Sequence, residues 1–467
     1  MSTSTITKTI TMNGNSTGYG AVSGNEIFNL AGYSNTVLLA GANDTVNIQS
    51  GLFDSIDLNH SGFTNSVNDS INLGTSAMGR VTTSHDLYNS TVSIFASSGP
   101  NMVSLLNHGG STSVYLGYEG DPALQGSAYG NKVTLNGDAT NTVNLTAGGY
   151  ATVAIGTQND GFINSTSNVT LTGQSNTLIG GDEAFTIANA TSTSNTIALG
   201  NGNSTITLTG TANSLSLGNG VNQVDFMGGV NTATFGGGSN LVDTNAGYTT
   251  LNYAGGNAGS EDTINMNSGG AFVRGGDECF AINGIAPNTH LVAILGNGND
   301  TIDMKHGSAR VVLGTSTANT ANNIVTMEHG GANVTLNGGV DIVSLQNSHL
   351  PGSDKVMLNG TLLGTQLSLP GAFANVILTN DANAVINDTG MNSGLNLTLN
   401  ADATQGFGTI AINGLAQDDL AQIHLIGASA YTTTTDDTAA GGITLHFAHG
   451  TVDLIGLQSV PNHLFGG

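Results

Sequence analysis

The chain repeats itself over long distances. Residues 180–208 read GGDEAFTIANATSTSNTIALGNGNSTITL, and residues 275–304 read GGDECFAINGIAPNTHLVAILGNGNDTIDM, the same text with one extra residue. A looser copy, GNEIFNLAGYSNTVLLAGANDTVNI, occupies residues 24–48. Duplication on this scale restricts the fold to arrays in which like units stack on like. A shorter beat lies beneath it. Asn195, Asn203, Asn213, Asn222, Asn231 and Asn240 recur every eight to ten residues, and most open a short alternating run such as Asn213-Ser-Leu-Ser-Leu or Asn222-Gln-Val-Asp-Phe. In each run two apolar residues two apart point to one face of a strand and the residue between them points away. Asn and Gly then supply the turn. A strand of about five residues cannot bury its own apolar face, but stacked coils can.

The expected fold is therefore all-β: a β-solenoid, as a two-sided β-roll or a broader β-helix, with a β-rich C-terminal cap. Residues 1–20 read as an N-terminal arm or cap and 21–400 as the repetitive solenoid. Residues 401–467 read as the cap with a possible secretion signal, because the nine-residue beat weakens there and the apolar strands lengthen. Each coil should hold roughly 18–27 residues.

Composition narrows the function. Seven Lys and Arg stand against 31 Asp and Glu, for a formal charge of −24. Nucleic acid, which needs clustered cations, is an excluded partner, and anionic lipid would repel the chain. No segment approaches the roughly 20 apolar residues of a membrane helix, so no membrane insertion is expected. The one cysteine, Cys279, forbids an intramolecular disulfide and reads as a small packing residue, since Ala184 takes its place in the sister copy. No N-terminal signal of the cleaved type is visible.

Gly296-Asn-Gly298-Asn299-Asp300-Thr-Ile-Asp303 carries the chemistry. It matches most of the nonapeptide Gly-Gly-x-Gly-x-Asp-x-U-x, with Leu295 in place of the first Gly. The motif resembles the calcium-binding repeats of the repeats-in-toxin family, whose β-solenoids are secreted by bacterial type I systems. The resemblance implies Ca²⁺ held between coils by glycine carbonyls and Asp carboxylates. The candidate ligands are Gly296, Gly298, Asn299, Asp300 and Asp303, with Asp44 and Asp262 from related Asp-Thr elements. Elsewhere the pattern departs: Ser204 stands where Asp300 does, and the corner before Asp44 lacks the second Gly. In those corners Asn and Ser are expected to bond the turn without metal. The acidic tail, which ends Pro461-Asn-His-Leu-Phe-Gly-Gly, resembles the C-terminal regions of the same secreted class.

Other motifs read as structure. Arg274-Gly-Gly-Asp-Glu-Cys-Phe looks like a diguanylate cyclase signature, but the α/β setting of those enzymes is missing, so the Glu is taken as a corner residue and the Phe as core. His60, His108, His306, His329 and His449 each precede a turn glycine or lie next to one. They read as solvated turn residues, although His306 and His329, 23 residues apart, would form a metal-binding or pH-sensitive ladder if they met at neighbouring corners. No nucleophile elbow or zinc-protease motif is present, and no enzyme is expected. The expectation is an extracellular or cell-surface structural protein, exported without a cleaved N-terminal signal. It would polymerise with itself through strand edges or Ca²⁺ bridges into a surface layer, filament or biofilm matrix. The alternative is a β-helix that binds or modifies carbohydrate, with cell-surface polysaccharide as partner; Tyr is available for it but Trp is absent.

Overall fold

The structure is a computed structural model. It describes residues 8–457 and 460, except 14–17, 22–25, 32–33, 40–43, 51–54, 59–67, 74–79, 84–86, 97–100, 118–130, 137–139, 147–149, 157–165, 246, 255–259, 347–353, 363, 370–372, 380, 388–393, 400–406, 414–422, 427–431 and 438–440. The extreme C-terminus, read above as a possible secretion signal, and His60 lie outside the described residues. Every regular element among the described residues is a strand, and none is a helix long and apolar enough to cross a membrane. The chain divides into two compact units, Met1–Ala233 and Thr234–Gly467.

Each unit is a parallel β-solenoid. Most strands pair not with their sequence neighbours but with the next strand but one: Thr205–Leu208 with Gln223–Phe226, and Glu261–Met266 with Cys279–Gly284; long strands such as Thr166–Gly180 and Ala184–Ala198 span both walls and pair with each other. Each coil thus contributes one strand to each of two walls, which is the two-sided alternative of the sequence reading. Hydrogen-bonded positions in successive coils lie 18 residues apart where the corners are tight and 22 or 23 apart where a corner is longer. Such spacings fall in the range expected from the beat.

Alternation places the core. Thr205–Leu208 and Gln223–Phe226 both run exposed, buried, half-buried, buried. Ile206 stacks on Val224, and Leu208 on Phe226. In the second unit Ile264, Ile282, Ile302, Val325 and Val343 form one such inner column, all within 1% of full burial. A column of this kind buries side chains worth roughly 2 kcal/mol each.

The Asn residues of the beat do more than make turns. Asn176, Asn195, Asn213 and Asn231 are buried. Their carboxamides run coil to coil, each Nδ2 donating to the next Oδ1 at 3.2, 2.8 and 2.7 Å. A buried amide must be paired, and an Asn at the same place in these four successive coils finds its partner one rung away.

Parallel pairing continues past residue 400. Thr409–Asn413 pairs with Ala384–Asn387, and Ile423–Ile426 with Gly394–Leu399. Antiparallel pairing first appears where Gly442–Phe447 joins Thr433–Asp437 on one side and Gly450–Ile455 on the other.

Candidate functional site

The motif residues converge on one corner of the second unit. The turn 296–299 joins the strand His290–Leu295 to the strand Thr301–Met304. It stacks directly on the preceding turn. A Cβ added to Gly296 would fall 2.1 Å from the Gly276 carbonyl oxygen, and one on Gly298 1.9 Å from that of Glu278. Side chains are therefore excluded here by the closeness of the stacked backbones. The corner of the sister copy obeys the same rule, with Gly202 at 2.0 Å from the Glu183 oxygen.

Side chains knit these turns together. Asn297 donates both its backbone N–H and its Nδ2 to Asp277 Oδ1, at 2.8 and 3.1 Å. Its own Oδ1 accepts the Thr315 N–H at 3.0 Å. Asn299 Oδ1 accepts the Asn322 N–H at 2.8 Å. In the sister copy Asn201 makes the same pair of bonds to Asp182, at 2.8 and 3.1 Å. The amides of these corners are thus met by Asn and Asp oxygens.

The GGDE head is structural, and its reason is now visible. Phe185 and Phe280 are fully buried. Each lays its ring over the first Gly of its own head: a Cβ on Gly180 or Gly275 would lie 2.3 Å from that ring. The Glu is not an exposed corner residue. Glu183 is 3% and Glu278 1% exposed, and Glu278 Oε1 accepts the Gly276 N–H at 3.1 Å.

Asp300 points inward. It is 1% exposed; its Oδ1 accepts the Phe280 N–H at 3.0 Å, and its own N–H donates to Asn323 Oδ1 at 3.0 Å. Asn323 in turn gives its N–H and its Nδ2 to Asp341 Oδ1, at 3.1 and 2.8 Å. Asp262 Oδ1 takes both bonds from Asn240, at 2.9 and 2.8 Å. An Asp here serves as an Asn does, receiving a backbone amide from the coil before. Among the described residues, Glu278 Oε2, Asp300 Oδ2 and Asp341 Oδ2 are buried oxygens with no hydrogen-bond partner.

These groups press on one another. Burial pushes the Asp300 carboxyl up to about 8, against the pull of the Phe280 N–H, and the charges of Glu278 and Asp341 add to the rise. Burial likewise lifts Asp262 to about 6 and Asp341 to about 6, each opposed by its Asn partner. Tyr253, whose ring stacks on Phe235 and meets Phe280 edge-on, is raised by burial and then by Asp262 and Glu278.

Of the sequence candidates, Gly296, Gly298, Asn299 and Asp300 share one corner, and Asp262 occupies the inward column of Asp300 on another coil. Asp303 lies apart, half-buried on the outward side of Thr301–Met304 and 3.1 Å from Lys305. Asp44, in the first unit, receives the Glu26 N–H at 2.9 Å and gives its own to Asp69 Oδ1 at 2.9 Å. Asp341 of this column and Glu278, two residues before the Phe280 that Asp300 faces, went unnoticed as charges acting on Asp300. The Asp341-Ile-Val run, an Asp just before a strand, was the available signal. The free oxygens are of the hard type that Ca²⁺ takes. Among the described residues, however, no three His, Cys, Asp or Glu side chains gather as a metal-binding group. A bound Ca²⁺ would draw on Asp300 and Glu278 and complete its shell from backbone carbonyls and water.

His306 and His329 do meet at neighbouring corners. Their rings stack at 5.1 Å with 15° between planes, beside the ion pair of Lys305 with Glu328. Parallel rings do not converge on one ion, so the contact reads as a stacked corner. His446 and His449 belong to an antiparallel hairpin whose closing pair is Phe447 and Gly450.

No protein-family model, no curated protein and no solved structure matches this chain.

Proposed function

We propose that the protein is an extracellular structural β-solenoid that assembles with copies of itself into a surface layer, filament or matrix, with Ca²⁺ as a bridging or stiffening ion. The observation that carries this reading is the repetition itself. The two long copies hold in common the residues that the stacking of coils requires: the corner glycines and the Phe over the first Gly. A chain built for repetition offers the same surface many times over, which suits lattice contacts. Buried, unpaired carboxyl oxygens in the second unit support a role for a hard cation.

The carbohydrate alternative would rest on Phe95 and Tyr115, 42% and 36% exposed. Their rings stack at 5.1 Å and 4°. Each covers a face of the other, so the pair offers edges more than an open sugar platform.

The test is direct. The full chain is purified in chelator, Ca²⁺ is added, and light scattering and electron micrographs are followed. Ordered assemblies that form with Ca²⁺ are the expected result. A chain that stays monomeric at every ionic condition and concentration overturns the reading.

A further inference from the structure

Cations are scarce in this chain, and their placement is uneven. The second unit contains four: Arg274, Lys305, Arg310 and Lys355. Lys305 is neutralised within the molecule by Asp303 and Glu328. The other three are exposed, sit on one wall, and make no ion pair among the described residues. That wall is built from Tyr248–Tyr253, Gly270–Arg274, His290–Leu295, Ser308–Leu313, Gly331–Asn337, Asp354–Asn359 and Phe373–Thr379, paired in parallel.

Register shows what surrounds the cations. Arg274 is followed on the next rungs by Ile294 and Val312, in one outward column. Further along that column, Met357 pairs with Ile377. In the neighbouring column Val292 leads to Arg310, then Asn333, then Lys355. Ile294 is 43% exposed. The described strands of this wall carry no outward carboxylate; Asp354 is buried. An exposed surface mixing aliphatic groups with unpaired cations, in a chain of charge −24, is built to meet something anionic.

The opposite wall of the same unit has the complementary character. Its outward side carries Asp243, Glu261, Asp303 and Glu328 against the single Lys305. Ile324 and Ile342, 43% and 46% exposed, lie side by side there. Both walls share one rung spacing, about 4.8 Å, because they are two sides of the same coils. Rows of charge on one wall are therefore commensurate with rows on the other.

From this complementarity we infer that the cationic wall of the second unit docks on the acidic wall of the second unit of another copy. The occupant is a second copy rather than a foreign polyanion, because the same solenoid supplies acid, exposed isoleucine and matching rung spacing together. Such a contact joins two different surfaces, so each docked copy still presents a free wall and the contact propagates copy by copy until a ring closes or an open array forms. The inference rests on the assembly reading above and names its interface. In the first unit Arg80 and Lys132 flank the 42%-exposed Met102 in register, a smaller instance of the same surface chemistry.

The experiment uses the full chain and sedimentation velocity with electron microscopy. A triple variant, Arg274→Glu, Arg310→Glu and Lys355→Glu, is compared with wild type, and circular dichroism checks that its strands form. The substitutions point outward, so folding should persist, while the concentration needed for assembly rises on the order of a hundredfold. A second variant, Asp243→Lys with Glu261→Lys, should fail to assemble alone. An equimolar mixture of the two variants should assemble, since each now presents the wall the other lacks. Wild-type assemblies should loosen above about 0.5 M salt, where screening acts within about 4 Å. If wild type assembles and the triple variant assembles equally well, the interface is wrong while the assembly reading stands. A mixture that fails to assemble also overturns it. If wild type never assembles but is retained by immobilised polygalacturonate through these three residues, the wall is a polyanion site and both readings fall.

Discussion

The corners around Gly202 and Gly298 come from the same duplicated text, and the structure keeps nearly all of it. In both, a buried Phe lies over the first Gly, a Cβ there would sit 2.3 Å from the ring, and an Asn binds the preceding Asp through the same two bonds at 2.8 and 3.1 Å. They part at one position. Ser204 and Asp300 are both buried and both give their N–H to an Asn one coil on, at 3.1 and 3.0 Å. Only Asp300 brings a carboxyl under the charges of Glu278 and Asp341. What stacking demands has been held in common; what stacking tolerates is where the two corners differ in chemistry.

The strongest way to break this comparison is through the rings. Phe185→Ala and Phe280→Ala should each cost about 3–5 kcal/mol, read as a fall in the denaturation midpoint. Equal losses support one scaffold; a clear inequality means that the two corners are not equivalent. Next come the glycines. Gly202→Ala and Gly298→Ala each drive a methyl into a carbonyl of the coil below and should cost about 1–3 kcal/mol or somewhat more. If either is silent, the turns do not pack as described.

The smallest effect isolates the difference. An unfolded Asp has a pKa near 4, whereas Asp300 when folded is raised to about 8. Between those values the folded state holds a proton that the unfolded state has released. The stability from this group is therefore full below about pH 4, declines as pH rises, and is gone above about pH 8. Asp262 and Asp341, raised to about 6, contribute only up to that point. From pH 6 to 8 the slope belongs to Asp300, at most about 1.4 kcal/mol per pH unit. Asp300→Ser should flatten that window, and urea midpoints at pH 6, 7 and 8 would measure it. An unchanged slope in the variant would show that Asp300 is not the group responsible.

The third copy shows how far the text could be trusted. Glu26, Phe28 and Asp44 match Glu278, Phe280 and Asp300, yet Phe28 stacks on Val46, whereas Phe280 gives its N–H to Asp300. In the first unit that bond comes from Glu26, two residues earlier. A slip of two leaves every side chain on its own face, so the hydrophobic pattern cannot reveal it. The candidate site was legible in the same partial way. Gly296, Gly298 and Asp300 stood out by spacing, but the inward grouping of Asp300 with Glu278 and Asp341 depends on register between coils.

By itself the sequence determined the all-β class, the stacking of short coils and the corners where only glycine fits. Those follow from local alternation, turn chemistry and repetition, each contained within one or two coils. Tertiary structure alone decided that each coil has two walls, that the beat asparagines other than Asn203 and the GGDE glutamates turn inward, and that the unpaired cations share one outward wall while acids line the other. These depend on which rung lies above which, a relation between residues about 20 apart that corner length sets and local pattern does not encode.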